Sequence, residues 1–159
     1  MPWKNGGGTT REILVEPGPN DRYRYRVSIA DVASSGPFSR FDGYDRHIVL
    51  LDGAGMTLDA GAHGRIELER FVPRTFSGDW DVTGTLKAGP VRDFNLIVDR
   101  AYATATLEVV TVNQATTIEA PICIVHALDD EALTIVGAGE LQFVPAESAR
   151  IIVARIFPV

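Results

Sequence analysis

The strongest constraint on the fold is a two-residue rhythm that recurs along the chain. In residues 22–29, Tyr23, Tyr25, Val27 and Ile29 fall on one face, and Arg22, Arg24, Arg26 and Ser28 fall on the other. That is a strand with one face for a core. Similar segments occupy residues 12–16, 46–52, 56–60, 65–69, 80–86, 91–100, 104–111, 116–119, 122–128, 133–136, 140–144 and 151–157. Their spacing of about ten residues, with Gly and Pro punctuation, predicts an all-β sandwich or barrel with little or no helix. Only residues 129–133 could hold a helical turn. Gly53-Ala54-Gly55 and the turn from Gly61 to Gly64 predict two successive hairpins, a meander. Lys87-Ala88-Gly89-Pro90 joins two later strands. Both halves of the chain place a Gly-rich turn between apolar strands, Asp52-Gly53-Ala54-Gly55 and then Gly137-Ala138-Gly139. A duplicated β-barrel fits that plan.

With 159 residues and 45% hydrophobic content, the chain is sized for one domain with a true core. A net charge of −6 argues against a nucleic-acid partner, which needs a basic face, but leaves room for a small anion in a local basic pocket. The one cysteine, Cys123, excludes an intrachain disulfide and reads as a buried thiol in the run ICIV. No apolar stretch reaches the length of a membrane helix, and residues 1–8 hold no apolar leader core. A cytoplasmic protein without a membrane partner is expected.

The chemistry concentrates first in PWKNGGGTTREI, residues 2–13. A phosphate-binding loop needs a strand before the glycines, Lys-Ser or Lys-Thr after them, and a following helix, and all are missing here. Two readings stay open: a structural loop anchored by Trp3, or a loop lining a ligand site. Lys4, Asn5 and Arg11 supply donors suited to an anion. His47, His63 and His126 are scattered and form no HxH, so neither a metal site nor a cofactor is expected. His126, in an apolar strand, reads as a core residue. His63 reads as a solvated turn residue. Cys123 and His126 stand three apart on one strand and face opposite ways, so they make no catalytic pair.

Several strands carry polar residues in phase with one another. Arg26 and Ser28 share a face. Arg46 is in phase with Ile48 and Leu50, and Asp93 and Asn95 with Val91 and Ile97. In an open sandwich such faces are solvated. In a small barrel they line a lumen, where buried polar groups need partners or a ligand. Trp3, Phe38, Phe41, Tyr44, Trp80 and Tyr102 offer a third possibility, an aromatic surface for a protein partner.

Three stretches, residues 2–13, 24–55 and 76–100, resemble the HutD/Ves family of bacterial proteins. They cover most of the N-terminal two-thirds. The resemblance implies a cupin-type, bicupin-like double-stranded β-barrel (an RmlC-like jelly roll) spanning 1–159 as one domain, with halves of about 1–100 and 101–159. It also implies a metal-free pocket, a homodimer, and a link to histidine utilisation or stress responses. In the family a short segment precedes the PWKNGGG motif, whereas the sequence here starts on it at Met1.

Carried onto this chain, the resemblance implies a pocket drawing on Trp3, Lys4, Asn5, Thr10, Arg11, Ser28, Arg46, Asp93 and Asn95, with Gly6 to Gly8 in the motif. Arg46 or Arg11 would pair a ligand carboxylate in bidentate fashion. Ser28 and Asn95 would bond a carbonyl or formyl group, and Asp93 would orient an arginine. The expected function is non-catalytic, regulatory binding of N-formyl-L-glutamate or a related small carboxylate. A lyase or isomerase using Asp93 as general base, or a protein-interaction module, are the alternatives.

Overall fold

The computed structural model describes residues 1–130 and 132–159, so the helical turn predicted at 129–133 lies partly outside the described residues. The described residues are all β apart from one 3-10 turn at Gly61–His63. None of them forms a helix long and apolar enough to cross a membrane. They fall into two compact units, Met1–Ala101 and Tyr102–Val159.

The first unit holds nine strands: β1 (Gly8–Pro17), β2 (Tyr23–Val32), β3 (Gly36–Pro37), β4 (Tyr44–Asp52), β5 (Met56–Asp59), β6 (Arg65–Leu68), β7 (Arg74–Ser77), β8 (Thr83–Leu86) and β9 (Val91–Asp99). They make two sheets, ordered β1-β2-β9-β4-β7 and β3-β8-β5-β6, and the neighbouring strands within them pair antiparallel. One core joins the two sheets. Val32, Ile48, Leu50, Phe76 and Val91 come from the first, and Met56, Leu58 and Leu68 from the second. The predicted meander is only half right. Met56–Asp59 and Arg65–Leu68 do form a hairpin. Gly53-Ala54-Gly55, however, carries the chain from one sheet to the other, as does Lys87-Ala88-Gly89-Pro90. Glycine turns fix where a strand ends but not which strand it pairs with.

The second unit is a four-stranded antiparallel sheet in the order β10-β13-β11-β12, built from β10 (Ala103–Val112), β11 (Thr116–Ala127), β12 (Thr134–Phe143) and β13 (Ala149–Pro158). Here the sequence reading breaks strands that are continuous. Pro121 sits inside β11, at a bulge where Ala120 and Ile122 face Gly139 and Ala138. A bulge is where a strand tolerates a residue with no N–H to give. Gly137-Ala138-Gly139 lies within β12 opposite that bulge, so it is no turn, and the parallel drawn with Asp52-Gly53-Ala54-Gly55 fails. Cys123 is buried with its thiol directed at the Ile118 and Ala120 carbonyls. His126 is fully buried and bonded through Nδ1 to the Thr134 hydroxyl at 2.9 Å, as expected of a core residue.

Candidate functional site

The registers of the five-stranded sheet assemble the site. Residues opposite one another on antiparallel strands share a face. Thr10 pairs with Ala30, which pairs with Asp93. Ser28 pairs with Asn95. Arg26 pairs with Ile97, which pairs with Arg46. Polar residues that alternation alone places in phase therefore meet across three strands. Ser28, Arg46, Asp93 and Asn95 are 3%, 7%, 1% and 5% exposed. This face is a lumen wall, not a solvated surface.

They line a cavity of about 490 Å3 together with Trp3, Lys4, Asn5, Thr10 and the loop residues Phe38, Ser39 and Phe41. Every predicted site residue except Arg11 is in the lining. Arg11 follows Thr10 on β1, and alternation turns it to the opposite, exposed face. Sequence reasoning left out Arg26, although it stands in phase with Ser28. It also missed the structural role of the loop from Pro37 to Gly43.

That loop is held by Phe38 N donating to the Val82 carbonyl, Phe41 N to the Gly78 carbonyl, and Gly43 N to the Asp79 carboxylate. It brings two aromatic rings over Arg46. The Arg46 guanidinium carbon lies 5.6 Å from the Phe38 ring centre, and 5.0 Å from each of the Phe41 and Phe76 centres. The six aromatics considered as a partner surface are thus half-buried or buried, and Trp3, Phe38 and Trp80 pack on the core of the first unit. His63 is exposed and stacks on Trp80, with ring centres 4.3 Å apart.

The glycine motif forms the rim. Asn5 Oδ1 accepts from Gly7 N at 2.8 Å, and the Gly7 carbonyl accepts from Ala33 N. Trp3 Nε1 donates to the Thr10 hydroxyl at 2.7 Å, and its ring meets Phe38 edge-on. None of the three glycines lines the cavity; their flanking residues do. The glycines thus serve as a structural loop, while Trp3, Lys4, Asn5 and Thr10 of the same motif line the cavity.

Electrostatically the wall is a short chain. Arg46 Nη2 donates to Asn95 Oδ1 at 3.4 Å, Nη1 donates to the Ser39 carbonyl at 3.5 Å, and Nε has no acceptor. These are long contacts for a buried cation, well past the usual 2.9 Å. Burial lowers the Arg46 pKa to about 10, against the opposing pull of Asp93, so the group stays charged at neutral pH. Asn95 Nδ2 donates to Asp93 Oδ1, and Asp93 Oδ2 has no partner. Burial raises the Asp93 pKa to about 7, against the bond from Asn95 and the charge of Arg46. Arg26 is held by Glu12 at 3.1 Å, and Lys4 is exposed at the mouth. Among the described residues no three His, Cys, Asp or Glu side chains gather as metal ligands.

The raised Asp93 pKa has a stability consequence. From its ordinary value of 3.8 up to about 7, the unfolded chain has released a proton that the folded chain still holds. Stability then falls as pH rises through that window and levels off above it. Asp93→Asn should remove this slope and be the more stable form at pH 8, by roughly 2–4 kcal/mol. Urea melts of both proteins at pH 5 and pH 8 test it. Parallel changes in the two would show that Asp93 is not the group responsible.

Residues 1–151 match the family model described as HutD. A relative described as an uncharacterized 21.2 kDa protein in the hutC 3' region of Pseudomonas putida is 47% identical over 98 residues, 61% of this chain and 52% of that protein. The chain spans about half the length of the curated relatives it matches, proteins named Ves among them. The solved structure of HutD from Pseudomonas fluorescens SBW25 is 32% identical, with a TM-score of 0.80 over 100% of this chain and 93% of that one. A Cupin 2 conserved barrel domain protein from Leptotrichia buccalis, at 8% identity, reaches a TM-score of 0.62 over 98% of this chain and 92% of that one. That likeness identifies the fold as cupin-like.

Proposed function

The chain belongs to the HutD family, and we propose that its Arg46 cavity binds a small carboxylate, N-formyl-L-glutamate or a close relative. On this reading the protein is a cytoplasmic binding protein that tunes histidine utilisation without catalysing a reaction. Arg46 carries the reading. It is a cation taken out of water, caged by three phenylalanines, with one N–H unused and two long hydrogen bonds. A buried charge so poorly partnered is costly. A carboxylate entering the cavity supplies the missing partner, because its two oxygens match the planar guanidinium fork. The hutC-region name of the Pseudomonas putida relative supports the pathway link.

One observation favours a second reading. Asp93 has an unpartnered oxygen and a pKa raised to about 7, properties suited to a general base in a lyase or isomerase. Thermal-shift measurements with millimolar N-formyl-L-glutamate, L-glutamate and urocanate separate the two. Binding raises the melting temperature, and at a hundredfold excess over Kd it adds about 2.7 kcal/mol. No shift with any of the three would sink the ligand assignment. Conversion of one of them to product would move the protein to the enzyme reading.

A further inference from the structure

Resting on the carboxylate-binding reading, we infer that Asp93 enters the complex as a neutral acid, its Oδ2 hydroxyl donating to a carbonyl of the ligand, so that uptake of the anion is coupled to a proton. The site then selects carboxylates that carry an acyl, amide or keto oxygen over those that carry a free ammonium group.

The geometry leads to this through Asn95. Its amide oxygen is engaged by Arg46 and its amide nitrogen by Asp93 Oδ1. Asn95 therefore stands between the cation and the acid with both ends engaged. Along this chain of three side chains, what remains for a ligand is the guanidinium at one end and Asp93 Oδ2 at the other, both in the lining of one cavity. Arg46 on β4 is the charge that favours ionised Asp93, and Asp31 on β2 opposes ionisation. Asp31 is itself paired with Arg92 at 3.0 Å. Arg26 of β2, paired with Glu12 of β1, and Lys4 and the Met1 ammonium of the N-terminal segment also line the cavity, the ammonium donating to the Thr10 carbonyl.

When a carboxylate pairs with Arg46, it cancels the one charge that stabilises ionised Asp93 and adds a negative charge nearby. Both effects drive a proton onto Asp93. The proton comes from solvent, and no bond other than O–H is made. A neutral carboxylic acid buried in the wall is a donor, and a carbonyl acceptor satisfies it. An ammonium group would meet a donor and leave its own protons unpaired.

Titration calorimetry with N-formyl-L-glutamate, N-acetyl-L-glutamate and L-glutamate, in buffers of different ionisation enthalpy, tests this. The expected results are uptake of up to one proton per ligand at pH 8, affinity for the acylated acids falling about tenfold per pH unit above 7, and weaker binding of L-glutamate. Asp93→Asn should bind with no pH slope. Binding without proton uptake, or L-glutamate binding tighter than its N-acyl forms, overturns the inference and leaves the carboxylate reading standing. No binding of any of the three acids overturns both. The proton count on the unaltered protein decides the matter even if the variant does not fold.

Discussion

Arg46→Met is expected to abolish the ligand-induced rise in melting temperature while leaving the unliganded protein at least as stable as before. The two halves of that result have one cause. Arg46 is 7% exposed, and its guanidinium has only the Asn95 and Ser39 oxygens, at 3.4 and 3.5 Å, to replace water. Cation–π contact with Phe38, Phe41 and Phe76 offsets part of the loss, at about 0.5–2 kcal/mol per well-placed ring. Removing one partner of a buried pair destabilises when it strands the other charge, but here the remaining group, Asp93, takes up a proton once Arg46 is gone, so no buried ion is left unpaired. A methionine thioether also packs well against aromatic rings. In the complex the balance reverses. Deleting one partner of a buried charge pair costs about 2–5 kcal/mol, or roughly 30-fold to several thousandfold in Kd.

Arg46→Lys sharpens the argument. It keeps a positive charge but replaces the planar fork with a point donor that is harder to desolvate. Binding should weaken substantially, and the ammonium should be a worse fit to the phenylalanine cage than the guanidinium. Calorimetry and thermal melts on both variants supply the two readouts. A folded Arg46→Met protein that binds N-formyl-L-glutamate as tightly as the parent would remove Arg46 from the site.

The wall of this cavity was legible in the sequence because strand alternation is a local property. Ser28, Arg46, Asp93 and Asn95 each sit in a clear two-residue pattern, so their shared faces follow from phase alone. What phase cannot supply is register. The pairings Ser28 with Asn95 and Ile97 with Arg46 decide that these faces meet instead of lying on separate surfaces. Arg11, proposed from the motif it belongs to and not from phase, lies outside the lining. The pattern in residues 12–16 starts just after it, whereas β1 begins at Gly8 and so turns Thr10 inward and Arg11 outward. Phe38 and Phe41 lie in a loop with no period. They reach Arg46 only because backbone bonds to Val82 and Gly78 fold that loop over the sheet. In the second unit Pro121 and Gly137-Ala138-Gly139 read as breaks because local propensity favours turns there. Long-range pairing with β13 and a bulge hold the strands together instead.

Gly8→Ala and Gly6→Ala should separate the two uses of the glycine run. An added Cβ at Gly8 would lie 2.4 Å from the Asp31 carbonyl oxygen and 3.2 Å from the Trp3 ring. Asp31 sits on β2, paired on both sides, so its carbonyl cannot retreat without disturbing β1 and β9. Trp3 is the softer neighbour, but it is tied to Thr10 and packed on the core. Overpacking of this kind costs roughly 1–3 kcal/mol, about 2–10 °C in melting temperature for a chain of this size. Gly6 has φ +73 and nothing within 4 Å of an added Cβ, so alanine there meets only the left-handed backbone penalty of about 1–2 kcal/mol. The readout that distinguishes them is ligand response. Gly8→Ala displaces Trp3, and with it Lys4 and Asn5 at the cavity mouth, so affinity should fall along with stability. Gly6→Ala should lose stability with little change in affinity. If both variants keep full affinity, the motif is a brace for β1 alone, and the anion's contacts are confined to the wall that Arg46, Ser28, Asn95 and Asp93 form.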